Sequence, residues 1–193
     1  HELFNRRHRF SVPFDKQNIP QNGIYILFEK GETFQGFDRI VRVGTHTGDN
    51  QLRSRLTQHF ITEKKNRSIF RKNIGRCFLA KENDPYLKLW EIDTTSRSKK
   101  EEYQNQLNTE FEKELENKIT TYMQSNFSFC VFEVKTKEDR LFWEMKIAST
   151  LNQAKCSIPS ENWLGKFSPK VQIRESGLWQ VNELNKEVLT KSE

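Results

Sequence analysis

The stretch "NGIYILFEKGE", residues 22–32, decides the fold. Ile24 to Phe28 form an unbroken apolar and aromatic run rich in β-formers, so a strand is expected there, stopped by "EKGE". Within it Tyr25 is the oddity, because a buried phenol needs a hydrogen-bond partner. A second run, "RIVRVG" at 39–44, carries Ile40, Val41 and Val43 and ends at Gly44. The two runs are close enough in sequence to pair as an antiparallel hairpin. After the polar loop "THTGDN", Leu52, Leu56 and Phe60 recur every four residues, the spacing of a helix of about three turns. Asp49 or Asn50 is the expected cap.

Working outward, residues 1–21 read as an extended basic arm, with Pro13 and Pro20 discouraging helix. The chain from 63 to 96 gives no clear period: "SIFRKNIGRCFL" fits a short helix, and "DPYLKLWEI" fits either an extended or a helical piece. From 98 onward Leu107, Phe111, Leu115, Ile119 and Tyr122 or Met123 predict one long amphipathic helix. "FSFCVFEV" at 127–134 reads as a strand buried on both faces. Thr136 can cap a following helix whose apolar side holds Leu141, Met145 or Ile147, and Leu151. The tail is expected to be a Trp-bearing wrap followed by a short C-terminal helix.

Composition bounds the class. The chain has 193 residues, 34% hydrophobic and 30% charged, with 15 Phe and 4 Trp. Such large aromatic burial argues against disorder, and the length makes one domain the default. Its expected parts are the arm at 1–21, a core at 22–62 and 127–153, a helical insertion at 63–126 and a wrap at 154–193. No apolar run approaches the roughly 18 to 20 residues of a membrane span, and the start has no signal-peptide core, so a cytoplasmic protein is expected. Cys77, Cys130 and Cys156 are read as reduced packing residues. A net charge of +6, from 32 basic and 26 acidic residues, is modest. Its distribution is less so: Arg6, Arg7 and Arg9, then Lys64, Lys65, Arg67, Arg71, Lys72 and Arg76, stand among Phe and Ile, whereas acids gather at 101–116. That interleaving fits a nucleic-acid phosphate backbone, and a solvated surface with a few charge pairs explains it equally.

Three features look wrong for pure packing. They are Tyr25, the pair Arg55 and His59 one helical turn apart, and Glu144 among Phe142, Trp143 and Met145. A guanidinium and an imidazole on one helix face favour a phosphate. A carboxylate in an aromatic setting is costly unless paired or bound to a cation, and magnesium commonly takes one carboxylate plus waters and a substrate phosphate.

Together, "GIY" in a first strand, "VG" closing a second, "LRSRLTQHF" on the next helix and a Glu on a later helix resemble the GIY-YIG nuclease family. The resemblance covers two blocks, 22–60 and about 127–152. It implies an α+β fold, a small three-stranded antiparallel sheet flanked by helices, and phosphodiester hydrolysis with Mg²⁺ or Mn²⁺. Carried over by position, Tyr25 is the first-motif tyrosine and general base, Arg55 the phosphate-binding arginine, His59 its neighbour one turn on, and Glu144 the metal ligand. A phenol ordinarily titrates near 10, so base catalysis at neutral pH calls for nearby cations. The chain departs from the pattern at Arg42-Val43-Gly44, where the second tyrosine is missing. Arg42 there either binds a phosphate oxygen or points into solvent, and His46 in the next loop is a replacement for the missing polar group. Asn152 and Asn162 are both candidates for the family's asparagine. A compact enzyme of this kind is expected to be a restriction-type endonuclease on double-stranded DNA. Lys64, Lys65, Arg67, Arg71, Lys72 and Arg42 would contact the DNA, with a homodimer or sequential nicking to cut both strands. The alternatives are a nucleic-acid-binding protein that has lost activity, a structure-specific repair nuclease, and an interaction protein in which these residues are structural.

Overall fold

The structure, a computed structural model, describes residues 1–154 and 158–190. At its centre lies a three-stranded antiparallel sheet of β1 (Gly23–Phe34), β2 (Phe37–Gly44) and β3 (Phe127–Glu133), in the order β2-β1-β3. The expected strands and hairpin are present, but β1 runs on through "EKGE". The chain turns instead at Gln35 and Gly36, whose φ of 50° and 84° are the paired positive values of a tight hairpin turn. Gly31, at φ 86°, absorbs an irregularity on the way.

In chain order the α-helices are α1 (Glu2–Asn5), α2 (Leu52–Phe60), α3 (Ile69–Lys81), α4 (Leu87–Trp90), α5 (Arg97–Tyr103), α6 (Thr109–Asn126), α7 (Lys137–Gln153) and α8 (Val171–Ser176). Alternation along β1 sends Tyr25 and Leu27 to one face and Ile24, Ile26 and Phe28 to the other. The first face packs with α2, α3, α6 and the tryptophans Trp90, Trp163 and Trp179. The second packs with Ile147, Ala148 and Leu151 of α7 and with Leu178 and Leu184.

Several expectations give way to local physics. The long helix expected from 98 breaks between Tyr103 and Thr109, because the Asn108 side chain caps α6 by accepting the Phe111 N–H at 3.0 Å. Thr136 caps α7 as expected, accepting the Asp139 N–H at 3.1 Å, but Leu141 is exposed while Ile147 and Leu151 are buried. Neither Asp49 nor Asn50 caps α2; Gln51 precedes it without a side-chain cap bond. The short helix of the tail is α8, ahead of Trp179, and Gly177 ends it in the left-handed conformation at φ 68°. Cys77 and Cys130 are free and buried, and Cys156 lies outside the described residues.

Both edges of the sheet are covered, which removes the template an open edge offers. Phe10 of the arm exchanges two backbone hydrogen bonds with Phe129 of β3, at 2.7 and 2.9 Å. Arg9 stacks 3.4 Å above the Phe28 ring and Arg7 lies over Phe132, so these arm cations are held against the sheet. On the other edge Trp179 N–H donates to the Val41 carbonyl at 2.7 Å, and Val43 N–H donates to the Gln180 side chain. Among the described residues, no helix is long and apolar enough to cross a membrane.

The C-terminal wrap is pinned by a buried carboxylate. Glu29 of β1 accepts the indole N–H groups of Trp163 and Trp179, each at 2.8 Å, and the Tyr122 hydroxyl. Burial, aided by neighbouring Glu32, raises its pKa against those three donors. A raised carboxyl pKa contributes stability below the unfolded value, lost as pH rises through the folded one, so ionised Glu29 is a cost near neutrality. Glu29→Gln keeps an acceptor for both indoles and is expected to change stability at pH 7 by less than about 1 kcal/mol. Glu29→Leu strands two buried donors and is expected to cost about 2–4 kcal/mol in urea denaturation.

Candidate active site

Gly44 stands directly opposite Tyr25 in the β1–β2 register. A Cβ at 44 would overlap the Tyr25 hydroxyl and ring carbons, so the phenol occupies the space that only glycine leaves open. That contact accounts for both the tyrosine and the glycine of the two sequence motifs. The Tyr25 side chain is fully buried within the first core cluster, and its hydroxyl bonds His59 Nε2 at 2.8 Å. The partner that a buried phenol needs is thus the imidazole.

His59 is itself fully buried, and its Nδ1 bonds Ser68 Oγ at 2.7 Å. Ser68 also caps α3 by accepting the Arg71 N–H at 3.2 Å. One hydrogen-bonded line therefore joins β1, α2 and α3. Desolvation, together with the charges of Arg55, Arg42 and Arg71, holds the His59 pKa well below its ordinary value. The ring is neutral near pH 7, with one nitrogen donating and the other accepting.

Arg55, one turn before His59, is half-buried and donates to the Arg67 carbonyl at 3.2 Å. Glu144 of α7 reaches the same end of β2, with its carboxylate beside the Thr45 backbone N–H. Burial raises its pKa and Glu183 adds to the rise, while Arg42, the Thr45 N–H and Arg55 oppose it. A half-buried carboxylate with a second carboxylate close by gains from a hard divalent cation. Among the described residues no group of three His, Cys, Asp or Glu side chains gathers as a ready metal cage. The donor set fits an ion held by one carboxylate, with its remaining positions open to water and substrate.

The other expected residues divide. Arg42 does not point into solvent: it is buried beside Phe70, donates to the Trp179 carbonyl, and leaves its Nε without a partner. It is a counter-charge between His59 and Glu144. His46 uses both ring nitrogens, Nδ1–H on the Gly48 carbonyl at 2.6 Å and Nε2 accepting from Gly23 N–H at 3.2 Å. That arrangement ties the 45–48 loop to β1 and leaves no lone pair for catalysis. Lys65, Arg71 and Lys72, expected on DNA, are buried instead. Lys65 pairs with Glu112 at 2.6 Å, Arg71 with Glu116 at 2.6 Å, and Lys72 donates to the Glu91 carbonyl at 2.6 Å. Lys64 and Arg67 remain exposed. Asn152 is taken up by the Leu184 carbonyl and Asn185, and Asn162 is exposed.

Sequence reasoning missed Glu183 and Arg140. Arg140, one turn before Glu144 on α7, is fully buried; one terminal nitrogen donates to the Lys135 carbonyl, the other is ion-paired at 3.6 Å with exposed Asp49, and Nε has no hydrogen-bond partner. An arginine so close to a helix N-terminus reads in sequence as a surface charge, and no local pattern announces its burial.

Gly44→Ala is expected to displace Tyr25 and cost about 1–3 kcal/mol, read by thermal or urea denaturation. A depressed His59 pKa contributes stability above about pH 6.5 that is lost as pH falls, since the unfolded chain takes up a proton that the folded one refuses. The stability gap between wild type and His59→Gln is therefore expected to narrow from pH 7.5 to 5.5.

No curated protein and no solved structure matches the chain. A family model described as the GIY-YIG domain matches residues 3–191. With the tyrosine and glycine of the two motifs facing each other across the first two strands of a three-stranded antiparallel sheet, the chain belongs to the GIY-YIG family and has its nuclease-type fold.

Proposed function

We propose that the protein is a metal-dependent endonuclease that hydrolyses phosphodiester bonds of double-stranded DNA, with sequence-selective, restriction-type action in the cytoplasm. The observation that carries this reading is the convergence of Tyr25, His59, Arg55 and Glu144 at the Gly44 end of β2.

Hydrolysis needs an activated water, neutralised phosphoryl oxygens and help for the leaving 3′-oxygen. Glu144 would hold Mg²⁺ or Mn²⁺, which when bound supplies positive charge at the phosphate and the leaving group. Arg55 binds a non-bridging oxygen through the guanidinium donors that the Arg67 carbonyl does not occupy. Tyr25 in its phenolate form accepts the water's proton, while neutral His59 donates one ring N–H to the Tyr25 oxygen and accepts from the Ser68 hydroxyl with the other nitrogen. Arg42 balances charge behind Glu144, and His46 and Arg140 support the loop that carries Thr45. A single active site of this kind cuts one strand, so duplex cleavage would use a second copy or two successive nicks.

Binding without cleavage is a second reading, favoured by Arg42 in the second-tyrosine position and by the complete burial of Tyr25. Single-turnover cleavage separates the two. Glu144→Gln and Arg55→Ala are each expected to slow cleavage by about 10²–10³-fold, and Tyr25→Phe by about 10²–10⁴-fold, with unchanged far-UV circular dichroism. Tyr25→Phe cleaving at the wild-type rate would remove the tyrosine from the mechanism.

A further inference from the structure

Three concavities on the α2 side share their walls. The first, about 210 Å³, opens beside Arg55, Thr45 and His46. Ser54 and Gln58 line both it and a second of about 510 Å³, which adds Lys16 and Arg53. Lys64 and Arg67 line that one and a third of about 480 Å³, whose far wall holds Lys100 of α5 and Lys113 of α6. The three make one continuous trough leading away from the active site.

Its charge is one-sided for a structural reason. Lys16, Lys64, Arg67, Lys100 and Lys113 are exposed, and none forms an ion pair with another described residue. The acids Glu112 and Glu116 in the wall are held by Lys65 and Arg71 from beneath, which leaves Glu63 as the unpaired carboxylate among the lining residues. The buried cations thus cancel the acids and leave the outer lysines and arginine in excess. Threonine and serine hydroxyls fill the gaps between them, and no aliphatic side chain and no Phe, Tyr or Trp lines any of the three. A lining of cationic and hydroxyl-bearing side chains suits a sugar–phosphate backbone.

We propose that this trough seats the backbone of duplex DNA on one side of the scissile phosphate, running from Arg55 over α2 to Lys100 and Lys113. The proposal rests on the phosphodiesterase reading and extends it to residues outside the family motifs. Because Arg55 stands at one end and also holds the Arg67 carbonyl, filling the trough and placing the phosphate at the active site are linked through one side chain.

The test is equilibrium binding of a labelled duplex to the Glu144→Gln chain, which holds the DNA uncut, between 50 and 300 mM salt. Lys64→Ala with Arg67→Ala, and separately Lys100→Ala with Lys113→Ala, are each expected to flatten the slope of log affinity against log salt by about 2. Affinity at low salt is expected to fall about 10-fold or more in each. Lys135→Ala with Lys137→Ala, exposed cations on the α7 side, should leave slope and affinity unchanged. Unchanged slopes in both trough variants, with the parent still binding and wild type still cutting, would overturn the trough alone. An equal loss in the α7-side control would reduce the trough to non-specific charge. A parent that binds no duplex and a wild type that cuts none would overturn the nuclease reading with it.

Discussion

The Tyr25 hydroxyl, lodged over Gly44 and bonded to His59, is the contact on which the rest of the site depends. It fixes the spacing of β1 and β2, because no side chain fits at 44. It also fixes α2 against the sheet, and through Ser68 it sets where α3 begins. Burying a phenol, an imidazole and a serine hydroxyl together is tolerable because each is satisfied by the next. The same burial, with three arginines nearby, keeps His59 neutral, so that one ring nitrogen donates and the other accepts along this line. Stability and the proposed chemistry therefore draw on the same three side chains.

The charge pattern of the sequence has a second meaning in the folded chain. The basic run at 64–76 and the acids at 91–116 bond to each other: Lys65 with Glu112, Arg71 with Glu116, Arg76 with Glu91. Arg71 satisfies nearly its whole guanidinium inside the protein, on Glu116, Thr120 and the His59 carbonyl, and so connects α3 and α6 to α2. Such a buried network holds a particular arrangement of helices more than it adds net stability, since desolvation consumes much of the Coulomb gain. What it leaves outside, Lys64 and Arg67 with the lysines of α5 and α6, is the cationic excess of the surface next to the site.

The sheet was legible as short, continuous runs of β-formers, and α2, α6 and α7 through apolar residues three to four apart. The α3 helix was legible only as a short helix without a clear period, since nine of its thirteen residues are buried, cations included, and a helix buried nearly all round has no polar face to mark its period. Tyr25, Arg55, His59 and Glu144 were legible as a set through motif spacing. The burial of Arg42, Arg71 and Arg140, and the approach of Glu183 to Glu144, were not, because each depends on partners many residues away in the chain. The same holds for Glu29, which in sequence belongs to an apparent strand-ending turn and in the fold anchors two tryptophans.

The central claim is that these side chains cut DNA, and it is tested most directly by incubating the wild-type chain with long duplex DNA in Mg²⁺, with and without a chelator. Discrete fragments that the chelator abolishes are expected of a sequence-selective nuclease whose metal sits on Glu144. Duplex DNA that is bound but left intact across Mg²⁺ and Mn²⁺ would contradict that claim, and would make the Tyr25–His59 pair a structural feature of a binding protein.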